Sequence, residues 1–394
     1  MKYHGIVISD LHFGAFDTKI LRNELYEVFI KYLYSLKKID FIIISGDYFD
    51  HKLYLNDRTS DYSLTFMDTL INIAKDYNCP IRIVYGTESH ECNQYNIFSV
   101  YENDPSVDFK IIYTICDEEL RNGLNVLYIP EEYIYSKKEY YKEYFDEANK
   151  YDYIFGHGVI VEAMNFLKNR KIEEKESSKR RKVPHFGIKE LIHPCKGQVF
   201  FGHYHINTNI DDRVFYVGSY SRWIFGEDEP KGFYHITCDT EKSKYKAKFI
   251  ENSLARKFIT YNYGYSSHVI DSEESLIKEL EKRDKATEIS NGDCVRYIFN
   301  IPENYPNPEF IMRILNERYK FNDSIKVKVV NGYVEKKKKV NKKRLNDVLE
   351  EYPMIFDKSI KIEDKIVYYI KKHLERDIPL DKVKGYLYDE SKKE

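Results

Sequence analysis

Five short blocks rich in Asp, His and Gly stand out because each follows an apolar run. They are Asp10-Leu11-His12, Gly46-Asp47-Tyr48-Phe49-Asp50-His51, Gly86-Thr87-Glu88-Ser89-His90-Glu91, Gly156-His157-Gly158 and Gly202-His203-Tyr204-His205. Residue type sets the chemistry. Asp10 and His12 straddle a turn and can bind one cation, Asp47 can bridge two through its two oxygens, and His157, His203 and His205 complete a mixed N/O ligand set. Two divalent ions roughly 3.5–4 Å apart suit such ligands and stabilise in-line displacement at phosphorus, so a phosphoester is the expected substrate. Taken singly, the first four blocks read as ordinary turns with satisfied side chains. His-x-His is stronger, because alternate strand residues share a face. Shared order and placement carry the metal reading.

The elements that must hold these blocks follow from periodicity. Near-continuous apolar runs at Gly5–Ile8, Phe41–Ile44, Ile81–Tyr85, Asn125–Ile129, Tyr153–Phe155 and Gln198–Phe201 predict strands buried on both faces. Helical patterns at Leu21–Leu36 and Tyr62–Tyr77 alternate with the early strands, which points to an α/β core. Ligands in such folds gather at the carboxyl ends of strands, so five blocks on five strands predict one site. Runs beginning at Val214, Gly232 and Tyr245 read as consecutive antiparallel strands closing a second sheet.

Composition narrows the class. The 394 residues suit two or three domains. A net charge of −2, from 62 basic and 64 acidic side chains, decides nothing about a polyanionic partner. No apolar run approaches the roughly 20 residues needed to cross a bilayer, and no secretion signal is evident, so a cytoplasmic location is expected. Six cysteines without a C-x-x-C pair argue against a zinc ribbon or a disulfide framework.

The order D-x-H, G-D-x-x-D, G-x-x-x-H-E, G-H and G-H-x-H resembles the calcineurin-like metallophosphoesterase superfamily, whose fold is a two-sheet sandwich flanked by helices. Val217-Gly218-Ser219-Tyr220-Ser221-Arg222-Trp223-Ile224-Phe225-Gly226-Glu227, followed by Lys231-Gly232-Phe233, resembles a more specific segment, that of SbcD/Mre-type repair nucleases. The resemblance covers about the first 250 residues by motif and the remainder by layout. It implies that Asp10, His12 and His205 serve one metal, that Asp47 bridges, that His157 and His203 serve the other, and that His90 acts on the phosphate as the catalytic histidine. It further implies a manganese-dependent exonuclease or endonuclease acting on DNA ends in recombination and repair, a homodimer, and an SbcC-type ATPase partner. His51 and Arg222 are expected on the substrate. One block departs from the pattern: Ser89 precedes His90 where the family has an asparagine ligand. Ser89 or Thr87 offers a hydroxyl there, or water fills the position, and a phage-encoded chain in a host cytoplasm would account for the divergence. Two other readings stay open, a metallophosphoesterase of another substrate class (nucleotide phosphodiesterase or phosphatase) and a DNA-binding scaffold with a degraded second metal site.

The expected organisation is a nuclease domain over 1–256, a small α+β capping domain over 257–333 that contacts DNA, a basic linker over 334–344 and C-terminal partner-binding helices over 345–394. Lys179, Arg180 and Arg181 lie in a polar insertion between the fourth and fifth blocks and either contact phosphates or form a solvated loop. Lys336 to Arg344 carries seven basic residues and no acid, as either a DNA contact or a tether. An apolar stripe at Ile362, Ile366 and Ile370 suits a groove on a partner.

Overall fold

The computed structural model describes residues 1–15, 18–54, 58–165, 182–263, 272–286, 293–301, 313–314, 317–318, 326–331, 361–374, 379–381 and 383. Lys179, Arg180, Arg181 and the basic stretch 336–344 lie outside the described residues. The chain divides into two units, Met1–Asn300 with Pro306–Val329, and Ile301–Tyr305 with Val330–Glu394.

In chain order the strands of the first 255 residues are β1 (Lys2–Ile8), β2 (Phe41–Ser45), β3 (Ile81–Val84), β4 (Phe109–Ile112), β5 (Cys116–Arg121), β6 (Leu124–Ile129), β7 (Tyr151–His157), β8 (Val159–Ile160), β9 (His185–Phe186), β10 (Cys195–Gly202), β11 (Thr208–Asp211), β12 (Val214–Tyr216), β13 (Gly232–Asp239) and β14 (Lys244–Glu251). Two six-stranded mixed sheets result, ordered β14-β13-β1-β2-β3-β4 and β11-β12-β10-β7-β6-β5. The run β1-β2-β3-β4 is parallel, and so is β12-β10-β7-β6. The protein is therefore a mixed α/β fold built on two sheets.

Strand alternation explains the layers. All five residues of β2 are buried. Ile42 and Ile44 pack outward against Phe29, Phe66 and Leu70 in one cluster, while Phe41 and Ile43 pack inward against Tyr153, Phe155 and Phe200 of the other sheet in a second. A third cluster covers the outer face of the second sheet, where Ile154, Val199 and Phe201 meet Tyr141, Phe186 and Leu191. Such continuous apolar strands are stable only with both faces covered. The outer cover of the first sheet comes from helix α1 (Thr18–Glu24), a π-helical turn at Leu25–Ile30, α2 (Lys31–Ser35) and α3 (Arg58–Tyr77). In α3 the buried residues Phe66, Met67, Leu70, Ile71, Ile73 and Ala74 recur at helical spacing along one face.

The strands after Arg213 differ from the expectation of one antiparallel group. β12 joins the second sheet parallel to β10, whereas β13 crosses to the first sheet and pairs antiparallel with β1. Side chains account for the split. Tyr234, Ile236 and Cys238 of β13 fill the core between the sheets while Phe233 fills the helix-covered core, so β13 needs a place with both faces buried.

Beyond Lys257, β15 (Phe258–Tyr263), β16 (Cys294–Ile301) and β17 (Lys326–Asn331) form a separate three-stranded sheet, with a helix at Glu273–Ala286. In the second unit a helix spans Ile362–Leu374. Its Ile362 is exposed and Glu363 buried, the reverse of the simple apolar stripe. No helix among the described residues is long and apolar enough to cross a membrane.

Candidate metal centre

The loops leaving β1 and β2 are zipped together by their backbones. Asp10 N–H donates to Gly46 O at 3.1 Å, His12 N–H to Asp47 O at 3.0 Å and Phe13 N–H to Tyr48 O at 2.9 Å. Forcing two chain segments side by side past the sheet edge puts Asp10, His12 and Asp47 at φ of 50°, 48° and 47°, and His203 sits at 104°. Non-glycine residues rarely adopt positive φ, and such strain concentrates at functional sites. Glycine is used where approach is tightest: Gly46 has φ 83°, and a Cβ there would collide with the His157 ring.

Four overlapping groups converge at this edge, the third and fourth being His12 with Asp50 and His90, and Asp10 with Asp47 and His157. In the first, ligand-capable atoms of Asp10, His12 and His205 all lie within 4.8 Å of one another. Asp10 and His12 are buried. His12 Nε2 lies 3.0 Å from His205 Nε2. His205 Nδ1 is 2.8 Å from Glu227 Oε1, so the far nitrogen donates to a carboxylate and Nε2 is left as an acceptor. The far nitrogen of His12, Nδ1, faces Asp50 Oδ1 at 3.2 Å, off the line of a good hydrogen bond. The two Nε2 atoms face one point, where a cation would accept a lone pair from each. Burial disfavours protonation of His205, yet the Glu227 carboxylate outweighs it and raises its pKa.

A second group joins Glu131, His157 and His203, again within 4.8 Å. His157 is buried, and its Nδ1 lies 2.8 Å from Ser45 O, which leaves Nε2 facing Asp47 Oδ1 at 3.3 Å. Glu131 Oε2 lies 3.3 Å from His203 Nδ1 and accepts from Thr87 Oγ1 at 3.2 Å. Burial alone would raise the Glu131 pKa, but hydrogen bonding to His203 and the nearby imidazole charges hold it below its ordinary value.

Asp47 stands between the groups. Oδ1 faces His157 and accepts Thr87 N–H at 2.7 Å, while Oδ2 lies 3.8 Å from His12 Nε2. Burial opposes ionisation, and His157, His12 and His90 overcome it, so its carboxyl is held well below the usual carboxylate range. His157 is the reciprocal case: burial disfavours its charge, but Asp47 pushes its pKa up to about 10.

His90 closes the arrangement from helix α4 (Glu88–Glu91), a single turn after β3. Its ring centroid lies 4.9 Å from that of His12, and its buried Nδ1 has no hydrogen-bond partner. Burial lowers its pKa, with Asp47 opposing. The turn is anchored by Glu91, whose buried carboxylate accepts from Tyr48 N–H at 3.1 Å and Tyr95 O–H at 2.6 Å. Burial, aided by the charge of Asp47, pushes the Glu91 pKa up to about 8.

The structure thus brings together Asp10, His12, Asp47, His90, His157, His203 and His205. Other expected site residues fall elsewhere. Ser89 is exposed, because the one-turn helix that directs His90 inward turns its neighbour outward; Thr87 occupies the interior instead. Arg222, expected on the substrate, donates to the main-chain carbonyls of Glu227, Ala255, Arg256 and Glu229, and so pins its own loop. His51 is exposed, with Nδ1 3.1 Å from Asp50 Oδ2. Glu131 and Asp50 are additions. Glu131 follows Ile129-Pro130 at the end of β6, so the strand-end rule that selected the other blocks also reaches it.

No protein-family model matches the chain, and no curated protein matches it. One solved structure, a crystal structure, aligns over 64% of this chain and 100% of its own length with 13% identity and a TM-score of 0.34. That likeness is too low to carry any argument about function.

Proposed function

We propose that this chain is a two-metal phosphodiesterase of the calcineurin-like type, the nuclease subunit of an SbcCD-type complex that hydrolyses DNA at ends. The carrying observation is Asp47, whose two carboxylate oxygens face separate imidazoles, His157 Nε2 at 3.3 Å and His12 Nε2 at 3.8 Å, inside a ring of buried Asp, Glu and His donors. The donor set of carboxylate oxygens and imidazole nitrogens fits manganese and comparable divalent ions. Bound ions would supply positive charge against the charge developing at phosphorus and acidify water. The chain's own residues do the rest. Glu227 orients His205, Asp50 lies beside the far nitrogen of His12, Ser45 O fixes the His157 ring, and Glu91 positions the turn that carries His90. With its buried Nδ1 unpartnered, His90 is placed to stabilise the phosphate or to pass a proton to the leaving oxygen. DNA as the substrate rests on the Gly218–Phe233 segment, and an SbcC-type ATPase as partner rests on the C-terminal layout.

The test compares hydrolysis of a DNA duplex, a nucleotide diester and a phosphopeptide with added manganese. Cleavage of DNA alone supports the nuclease reading; preference for the phosphopeptide or the small diester replaces it with another phosphoesterase. Metal-dependent DNA binding without turnover on any of the three makes the chain a scaffold.

A further inference from the structure

We propose that Glu131 is an anionic ligand of the second cation position, taking the place that the third block leaves open where Ser89 stands. This rests on the two-metal reading above and names one more residue in it. The geometry is local. Glu131 N–H donates to Tyr85 O at 3.2 Å, which fixes the end of β6 against the end of β3. From there the side chain reaches the cluster, where its Oε2 lies 3.3 Å from His203 Nδ1 and both residues share a 4.8 Å sphere with His157. Thr87 Oγ1 lies 3.2 Å from Glu131 Oε2, 3.5 Å from Asp47 Oδ2 and 3.5 Å from His157 Nε2. One hydroxyl proton serves one acceptor at a time, so Thr87 steadies the carboxylates and Glu131 supplies the missing oxygen ligand.

Electrostatics favour the same assignment. Asp10, Asp47 and Glu131 are all buried, and among the described residues none of the three contacts a lysine or arginine. Buried carboxylates are costly unless they are paired or coordinate metal, and here only imidazoles, themselves metal ligands, stand opposite them. Two divalent ions bring four positive charges against these three negative ones. Without Glu131 the same pair would face two.

The competing role is a positioning one, in which Glu131 only accepts a proton-bearing His203 Nδ1 and never touches metal. Losing such an outer partner weakens metal binding by about 10–100-fold. The experiment is manganese titration of the full chain by calorimetry, beside anomalous diffraction from manganese-soaked crystals of the native protein. Expected are two equivalents in the native chain, a fall of more than about 100-fold in the second for Glu131→Ala with the first unchanged, a smaller fall for Glu131→Gln, and a manganese peak with a Glu131 oxygen in its coordination sphere. A second equivalent retained or weakened less than 100-fold in Glu131→Ala, or a peak with Glu131 outside the sphere, overturns the assignment and leaves the two-metal reading intact. A native chain that binds no manganese overturns both. The diffraction arm needs no variant, so a misfolded Glu131→Ala does not end the test.

Discussion

The two ends of the cluster use the same kinds of donor and are built in opposite ways. Asp10 and His12 come from β1 of the first sheet and His205 from the second, so that end exists only when the sheets are docked. Glu131, His157 and His203 follow β6, β7 and β10, three neighbours in one sheet. Support differs too. His205 and His12 have carboxylates, Glu227 and Asp50, at their far nitrogens, whereas His157 leans on the carbonyl of Ser45. A carboxylate behind an imidazole raises its basicity more than a neutral carbonyl does. Equal donor sets therefore need not mean equal affinity: one end depends on sheet packing and strong backing, the other on local strand order.

The largest effect should come from the residue that ends the distinction. Asp47→Ala is expected to lose both manganese equivalents and at least about 10³-fold in turnover; calorimetry showing one end still filled would mean that the ends are independent and Asp47 serves only one. Next is His90→Ala, which should cost roughly 10²–10⁴-fold in turnover while both equivalents remain. An empty protein in metal analysis would turn His90 into a ligand and enlarge the first end. Glu227→Gln removes the charge behind His205 and keeps the shape. It should weaken the first equivalent by about 10–100-fold and spare the second, so equal weakening of both would dissolve the comparison. The smallest effect is expected for Ser89→Asn. Its exposed side chain should leave both affinities within about twofold of native, because surface changes away from such features are near neutral; a tightened second equivalent would return Ser89 to the site.

What could be read from residues alone was the local part. The strand ends bearing Asp10, Asp47, His157 and His203 follow from apolar runs closed by polar blocks, because a strand buried on both faces has few other sequence forms. β4 and β5 were missed: Phe109–Ile112 is short, and Cys116–Arg121 alternates charged and half-buried residues as an edge strand does. Glu131 escaped for another reason. That β6 lies beside β7 is a non-local pairing invisible to periodicity, so a glutamate after Pro130 looks like any loop acid. Arg222 is the reverse case, an arginine in a family-like segment whose guanidinium donates to backbone carbonyls that only the folded loop reveals.

Four residues at the heart of the cluster, Asp10, His12, Asp47 and His203, hold positive φ without being glycine. At roughly 1–3 kcal/mol each, their combined strain is comparable to the ~5–15 kcal/mol by which whole proteins are stable. The molecule thus trades durability for a fixed constellation. Asp47→Gly relaxes one strained turn but strips His157 of its carboxylate partner and Thr87 N–H of its acceptor, so in the cation-free chain the two effects oppose and the melting temperature should stay within about 5 °C of native in the very variant that abolishes turnover.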